Sequence, residues 1–246
     1  MGFYLGWLDL ALLSVVRDKH CVCVWHTNDA AEPLRLRSLA SYLSDSVNLP
    51  VEDMDVNPSY NDKNTWFFVS CRADFEGGPV HSANHFVPAW HRDQIGGDMF
   101  ALTMASVMKE ITDRKALIAE ELVRLMAECN DDEEDEDSEN ESGNDAYTDS
   151  LLDEDKILSN QLEFVRLVAA KGLVPEFVPA DGNCGLWSML SLERGSPQAV
   201  DAGKKLQMDD VGKLRHDSRI LFNELLSVLF HMFSALLYLE SWTTTK

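Results

Sequence analysis

The chain has 246 residues, 45% of them apolar, enough to build the core of one large domain or two small ones. Its formal net charge of −21 is localised: residues 131–155 hold fourteen Asp or Glu and no Lys or Arg, leaving only −7 for the rest. A surface of that kind offers no general attraction to nucleic acid or anionic lipid, so neither is an expected partner.

The opening MGFYLGWLDLALL is apolar, lacks a basic stretch and carries Asp9, which argues against a signal peptide; Gly6 stands where a myristoylation signal wants Ser or Thr. Trp7–Val16 reads as a buried helix, and Cys21–Trp25, Trp66–Cys71 and Phe86–Trp90 read as strands, the last two joined by the turn-rich EGGP. From Asp98 a long helix carries a broad apolar stripe, Met99, Leu102, Val107, Met108, Ile111, Ile118, Leu122, Leu125 and Met126, with core packing favoured over a docking face. Residues 130–150 are expected to form a disordered acidic linker in which Ser138 and Ser142 are phosphorylation acceptors. A second helix, Leu151–Lys171, ends at Gly172 in the position of a C-cap. The extended LVPEFVPA leads to DGNC, and Gly185–Leu192 forms a further helix. Ser196-Pro197 is read as starting a short helix, and Val211–Leu239 as largely helical. Its apolar part, Leu225–Leu239, has fifteen residues and includes His231, short of the roughly 20 that span a bilayer, so no membrane partner is expected. No short tandem repeat is present.

Five cysteines, Cys21, Cys23, Cys71, Cys129 and Cys184, form no paired framework and no zinc spacing, which points to reduced thiols in a cytoplasmic or nuclear compartment, with no metal and no cofactor expected. Cys21 and Cys23 fit a packed strand, and His81 and His91 fit surface loops.

Cys184 differs from the other four. An apolar approach, Phe177-Val178-Pro179, gives way to the tight turn Asp181-Gly182-Asn183, and Cys184 opens a helix. A helix N-terminus favours the thiolate, and the backbone N–H groups of such a turn can face a developing oxyanion. A small core residue after an ordinary turn is the competing reading of the same pattern. A thiol nucleophile also needs a base, and His216 and His231 both sit inside apolar helical patterns.

Pro179–Ser188 (PADGNCGLWS) resembles the nucleophile loop of the ovarian-tumour (OTU) cysteine proteases, in which Asp-Gly-x-Cys precedes a helix. The upstream LEFVRLVAAKGLVPEFVPA and the downstream VGKLRHDSRIL resemble that family's flanking segments, although Gly185 stands where the family more often has Leu or Phe. Asn84-His85-Phe86 resembles the family's histidine motif but precedes the cysteine by 99 residues, and Trp7–Val16, Val22–Trp25 and Phe67–Cys71 resemble what leads up to it. The resemblance implies an α+β, papain-like OTU fold, a small central sheet flanked by helices and split around the acidic linker. Residues 1–97 would be the C-terminal, His-bearing half, 98–129 a long amphipathic helix, 130–150 the linker and 151–246 the N-terminal, Cys-bearing half. Two arrangements remain open: a window cut from a tandem array, consistent with the ending SWTTTK, or a circularly permuted single domain.

The implied activity is thiol-dependent hydrolysis of bonds to ubiquitin or a ubiquitin-like protein. Cys184 would be the nucleophile, His85 the base, and the Asp181–Cys184 backbone, with Gly182 and Asn183, the oxyanion loop. The family often orients its histidine with Asp or Asn two residues later; here that position is Val87, which leaves Asp181, Asp93 or Asn84 for the role. Trp187 is expected in the core. Two other readings are carried: a catalytically inactive OTU-like binding or scaffold module, and a protease similar to SUMO proteases or adenain, in which His precedes Cys. The second lacks the expected oxyanion Gln, since none lies between Gln161 and Cys184.

Overall fold

The computed structural model describes residues 7–38, 64–78, 83–131, 141–197, 207–220 and 223. Residues 1–205 form one compact unit and 206–246 a second. Segments on both sides of the acidic stretch belong to the first unit. In the second unit residues 208–220 are helical; His231 and most of the expected 211–239 helix lie outside the described residues, as do His81, Ser138 and residues 198–206.

The first unit is α+β. It opens with α1 (Trp7–Val16), β1 (His20–His26) and β2 (Leu34–Ser38), followed by β3 (Thr65–Cys71) and β4 (His85–His91). The short α2 (Arg92–Ile95) leads into the long α3 (Gly97–Asp131), and α4 (Glu141–Ala170), β5 (Leu173–Pro175) and α5 (Cys184–Glu193) complete it. The strands form an open mixed sheet in the order β2-β1-β3-β4-β5, with β1 and β3 parallel and the other neighbours antiparallel. The strands at Cys21–Trp25, Trp66–Cys71 and Phe86–Trp90 are where the sequence places them, each a residue or two longer. β2 was not anticipated, although Leu34-Arg35-Leu36-Arg37 alternates as a strand does.

The sheet is buried on both faces, which explains the near-continuous apolar runs of β1, β3 and β4. One face presents Val22, Val24, Phe67, Val69, Val87 and Ala89 to Phe164 and Val168 of α4. The other carries Cys21, where Ser14 of α1 hydrogen-bonds the thiol. Cys21 and Cys23 are free and buried, with Cys21 pushed up to about 12 by burial, so they are packing residues. No group of His, Cys, Asp and Glu that could hold a metal exists among the described residues, and no helix there is long and apolar enough to cross a membrane.

The expected acidic linker 130–150 is corrected at both ends. α3 runs to Asp131, and α4 begins at Glu141, ten residues before the expected start. Further along α4, Leu151 packs against the apolar core it shares with α3. α3 and α4 pair as an antiparallel hairpin: Arg114 Nη2 lies 2.6 Å from Glu154, Lys115 Nζ 2.7 Å from Asp155, and Tyr147 donates to Glu121 at 3.4 Å. Ile111, Ile118, Leu158 and Val165 form its core, with Met104, Val107, Met108 and Leu122 packed alongside. The α3 stripe is thus mainly core, but Leu102 and Met126, counted in it from spacing, are exposed.

Candidate functional site

Cys184 is the first residue of α5, where the sequence places a helix. The first helical bond runs from Trp187 N–H to Asn183 C=O at 2.9 Å, so the N–H groups of Cys184, Gly185 and Leu186 precede the intrahelical ladder. Gly182 has φ +78°, a left-handed conformation that glycine adopts without steric cost, and it turns the chain into the helix. Asp181 braces this turn. One carboxylate oxygen accepts from Asn183 N–H at 2.9 Å and the other from the Trp187 indole N–H at 3.2 Å. Burial of Asp181 opposes its ionisation, but these hydrogen bonds prevail and hold the carboxyl below the usual range.

α5 lies along β4. β5 pairs with β4 only from Ala89 to His91, which leaves the start of β4 to the helix. Ser188 Oγ donates to Phe86 C=O at 3.0 Å, and Cys184 Sγ donates to Asn84 C=O at 3.9 Å, a long contact with a soft donor. The Phe86 N–H also hydrogen-bonds the sulfur. Residues 100 apart in sequence are therefore neighbours: the sulfur touches the backbone on either side of His85.

His85 begins β4 and pairs with Cys71 of β3. It is only 2% exposed, its ring meets Phe75 edge-to-face with centroids 5.7 Å apart, and its Nδ1 has no hydrogen-bond partner among the described residues. Burial lowers its pKa to about 4, opposed by the negative charge of Asp181. Cys184 is 6% exposed; burial raises its pKa, offset only in part by the N–H groups of Phe86 and Gly185, and Asp181 adds to the rise. Burial of each group favours its neutral form, thiol for Cys184 and imidazole for His85.

The three residues considered for orienting the histidine separate clearly. Val87 is wholly buried among the sheet and α4 side chains. Asn84 Oδ1 accepts from Ala73 N–H at 2.9 Å, and Asp93 sits in α2 with its carboxylate 3.6 Å from His91. Asp181 alone of the three is felt electrostatically by His85. His91 is not a free surface histidine: its Nδ1 accepts the Asp93 N–H and caps α2, while its ring stacks on Phe67. Trp187 is core, as expected, and is also the indole that holds Asp181. His216 lies in the second unit.

Sequence reasoning missed two things here. Cys71, next to His85 across the sheet, lies near enough to Cys184 for their charges to interact. Glu176 and Arg194 form a buried ion pair, with the Trp90 indole donating to Glu176 at 3.3 Å. An isolated Arg after a helix and an isolated Glu between prolines carry no signal for that pairing.

No protein-family model, curated protein or solved structure matches this chain.

Proposed function

We propose that this chain is a cysteine-type hydrolase of the OTU kind with its halves in permuted order, acting on peptide or isopeptide bonds at the C-terminus of ubiquitin or a ubiquitin-like protein. The observation that carries the reading is the seating of a helix-capping sulfur, Cys184, against the backbone that flanks His85. The motif order made those two segments complementary halves, and a tandem window would have no reason to join them. The reading includes the papain-like form of the α+β fold and a reducing, cytoplasmic or nuclear location, in keeping with the free thiols Cys21, Cys23, Cys71 and Cys184.

In this mechanism His85 takes the thiol proton as Cys184 attacks the carbonyl, because a neutral imidazole is the competent base. Backbone N–H groups of the Asp181–Cys184 turn hold the oxyanion, that of Asn183 being already given to Asp181. The proton then passes from His85 to the leaving amine, giving an acyl-enzyme that water hydrolyses. Asp181 holds the nucleophile turn and favours the transient imidazolium through its charge.

A second reading, an inactive binding module, is favoured by one set of observations: Cys184 and His85 are both nearly excluded from solvent, and the usual orienting position is Val87. Ubiquitin carrying a thiol-reactive C-terminal warhead distinguishes the two. A hydrolase forms a covalent adduct that is absent in Cys184→Ala and strongly slowed in His85→Asn. A folded wild-type protein that binds the probe without an adduct is a binding module. Adduct formation only with a SUMO-type probe would move the assignment to the SUMO-protease class.

A further inference from the structure

The far end of α5 borders a cavity of 690 Å³, a volume within the range of roughly 300–1,000 Å³ typical of small-molecule sites. Trp66 and Trp90 lie one position beyond the Phe67–Ala89 pair on neighbouring strands, so both present their indoles to the same sheet face. Ile95 of α2, Met99 of α3 and Leu192 of α5 complete the apolar lining. The polar side is built from Arg17 and Lys19, in the turn after α1, together with Glu193. Arg17 Nε lies 3.1 Å from Glu193, whereas Lys19 Nζ donates to the neutral Asn64 amide oxygen at 3.1 Å and faces no carboxylate among the described residues.

Among the described residues, two cations stand against one carboxylate at this cavity, in a chain where 42 acidic residues outnumber 21 basic ones. The buried indoles give the cavity an apolar wall that favours a flat ring, and a partly exposed cation beside it favours an acid group on that ring. We infer that this cavity is a binding site for a planar aromatic acid, its ring against Trp66 and Trp90 and its anionic group toward Lys19 and Arg17. The site lies at the C-terminal end of α5, away from Cys184, and does not depend on the thiol reading.

The test uses the full-length protein and two fluorescent probes: 1-anilinonaphthalene-8-sulfonate, which carries the acid, and N-phenyl-1-naphthylamine, which does not. The expected result is saturable binding of one sulfonate per chain with quenching of tryptophan emission, weakened roughly tenfold by Lys19→Glu. The neutral probe should bind more weakly and be indifferent to Lys19→Glu. Met99→Trp, which fills the cavity, should abolish both signals; circular dichroism confirms that each variant is folded, and Lys19→Gln gives a milder second reading of the charge effect. Absence of saturable binding to wild type, or binding unchanged in both Lys19→Glu and Met99→Trp, overturns the site. Equal affinity for the two probes overturns the anionic class of ligand.

Discussion

His85 sits at the start of β4 with its ring out of solvent and its pKa lowered to about 4, against an ordinary value of 6.5. The unfolded chain therefore takes up a proton as pH falls through 6.5 while the folded protein does not until about 4. Stability is unaffected by this group above pH 6.5 and declines from there to about pH 4, by up to roughly 3 kcal/mol. Urea unfolding at a series of pH values should show that slope in wild type and lose most of it in His85→Asn; identical slopes would mean that the ring is solvated. Cys184 follows the same electrostatics with the opposite chemistry, since burial keeps its thiol protonated. Alkylation of Cys184 by iodoacetamide should be slow at pH 7 and should accelerate with pH beyond the ordinary thiol range, as mass spectrometry of the modified peptide would show. A nucleophile already ionised at rest would instead react fast and nearly independently of pH.

At the scale of elements, the buried pair Glu176–Arg194 ties the end of β5 to the C-terminus of α5, and Trp90 of β4 joins it through its indole N–H. Removing one partner of a buried pair leaves an uncompensated charge, so Arg194→Ala should lower stability by about 3–5 kcal/mol. The double variant Glu176→Leu, Arg194→Met should recover much of that loss in denaturant melts. An additive loss in the double variant would show that packing, and not the charge, is what Arg194 supplies. β2 and the early start of α4 are the elements that local pattern misjudged. In β2 the alternation is short and charged; in α4 the charge density reads as disorder, whereas the apolar residues that follow pack against α3.

For the first unit as a whole, the two sides of the acidic stretch interlock. β5 adds to β4, α4 covers one sheet face with Phe164 and Val168, and α5 lies against the start of β4. Contacts of this kind bury apolar surface that neither side could cover alone. A protease site inserted within 132–140 and then cut should yield two fragments that co-elute on gel filtration and keep the circular dichroism of the intact chain. Separation into two independently folded pieces would instead support the tandem-window arrangement.

The amino-acid sequence by itself settled the local features: the three apolar strands, the helix opening at Cys184, the left-handed Gly182 and Gly172, and the helical stripe around Ile111 and Ile118. These depend on periodicity and backbone sterics, which act over a few residues. Only the tertiary structure decided that Cys184 meets the backbone around His85, that Asp181 and neither Asn84 nor Asp93 is the carboxylate or amide His85 feels, and that Glu176 pairs with Arg194. The physical reason is that partners, burial and desolvation are properties of residues brought together across the sheet, and the spacing of letters along a chain does not encode them.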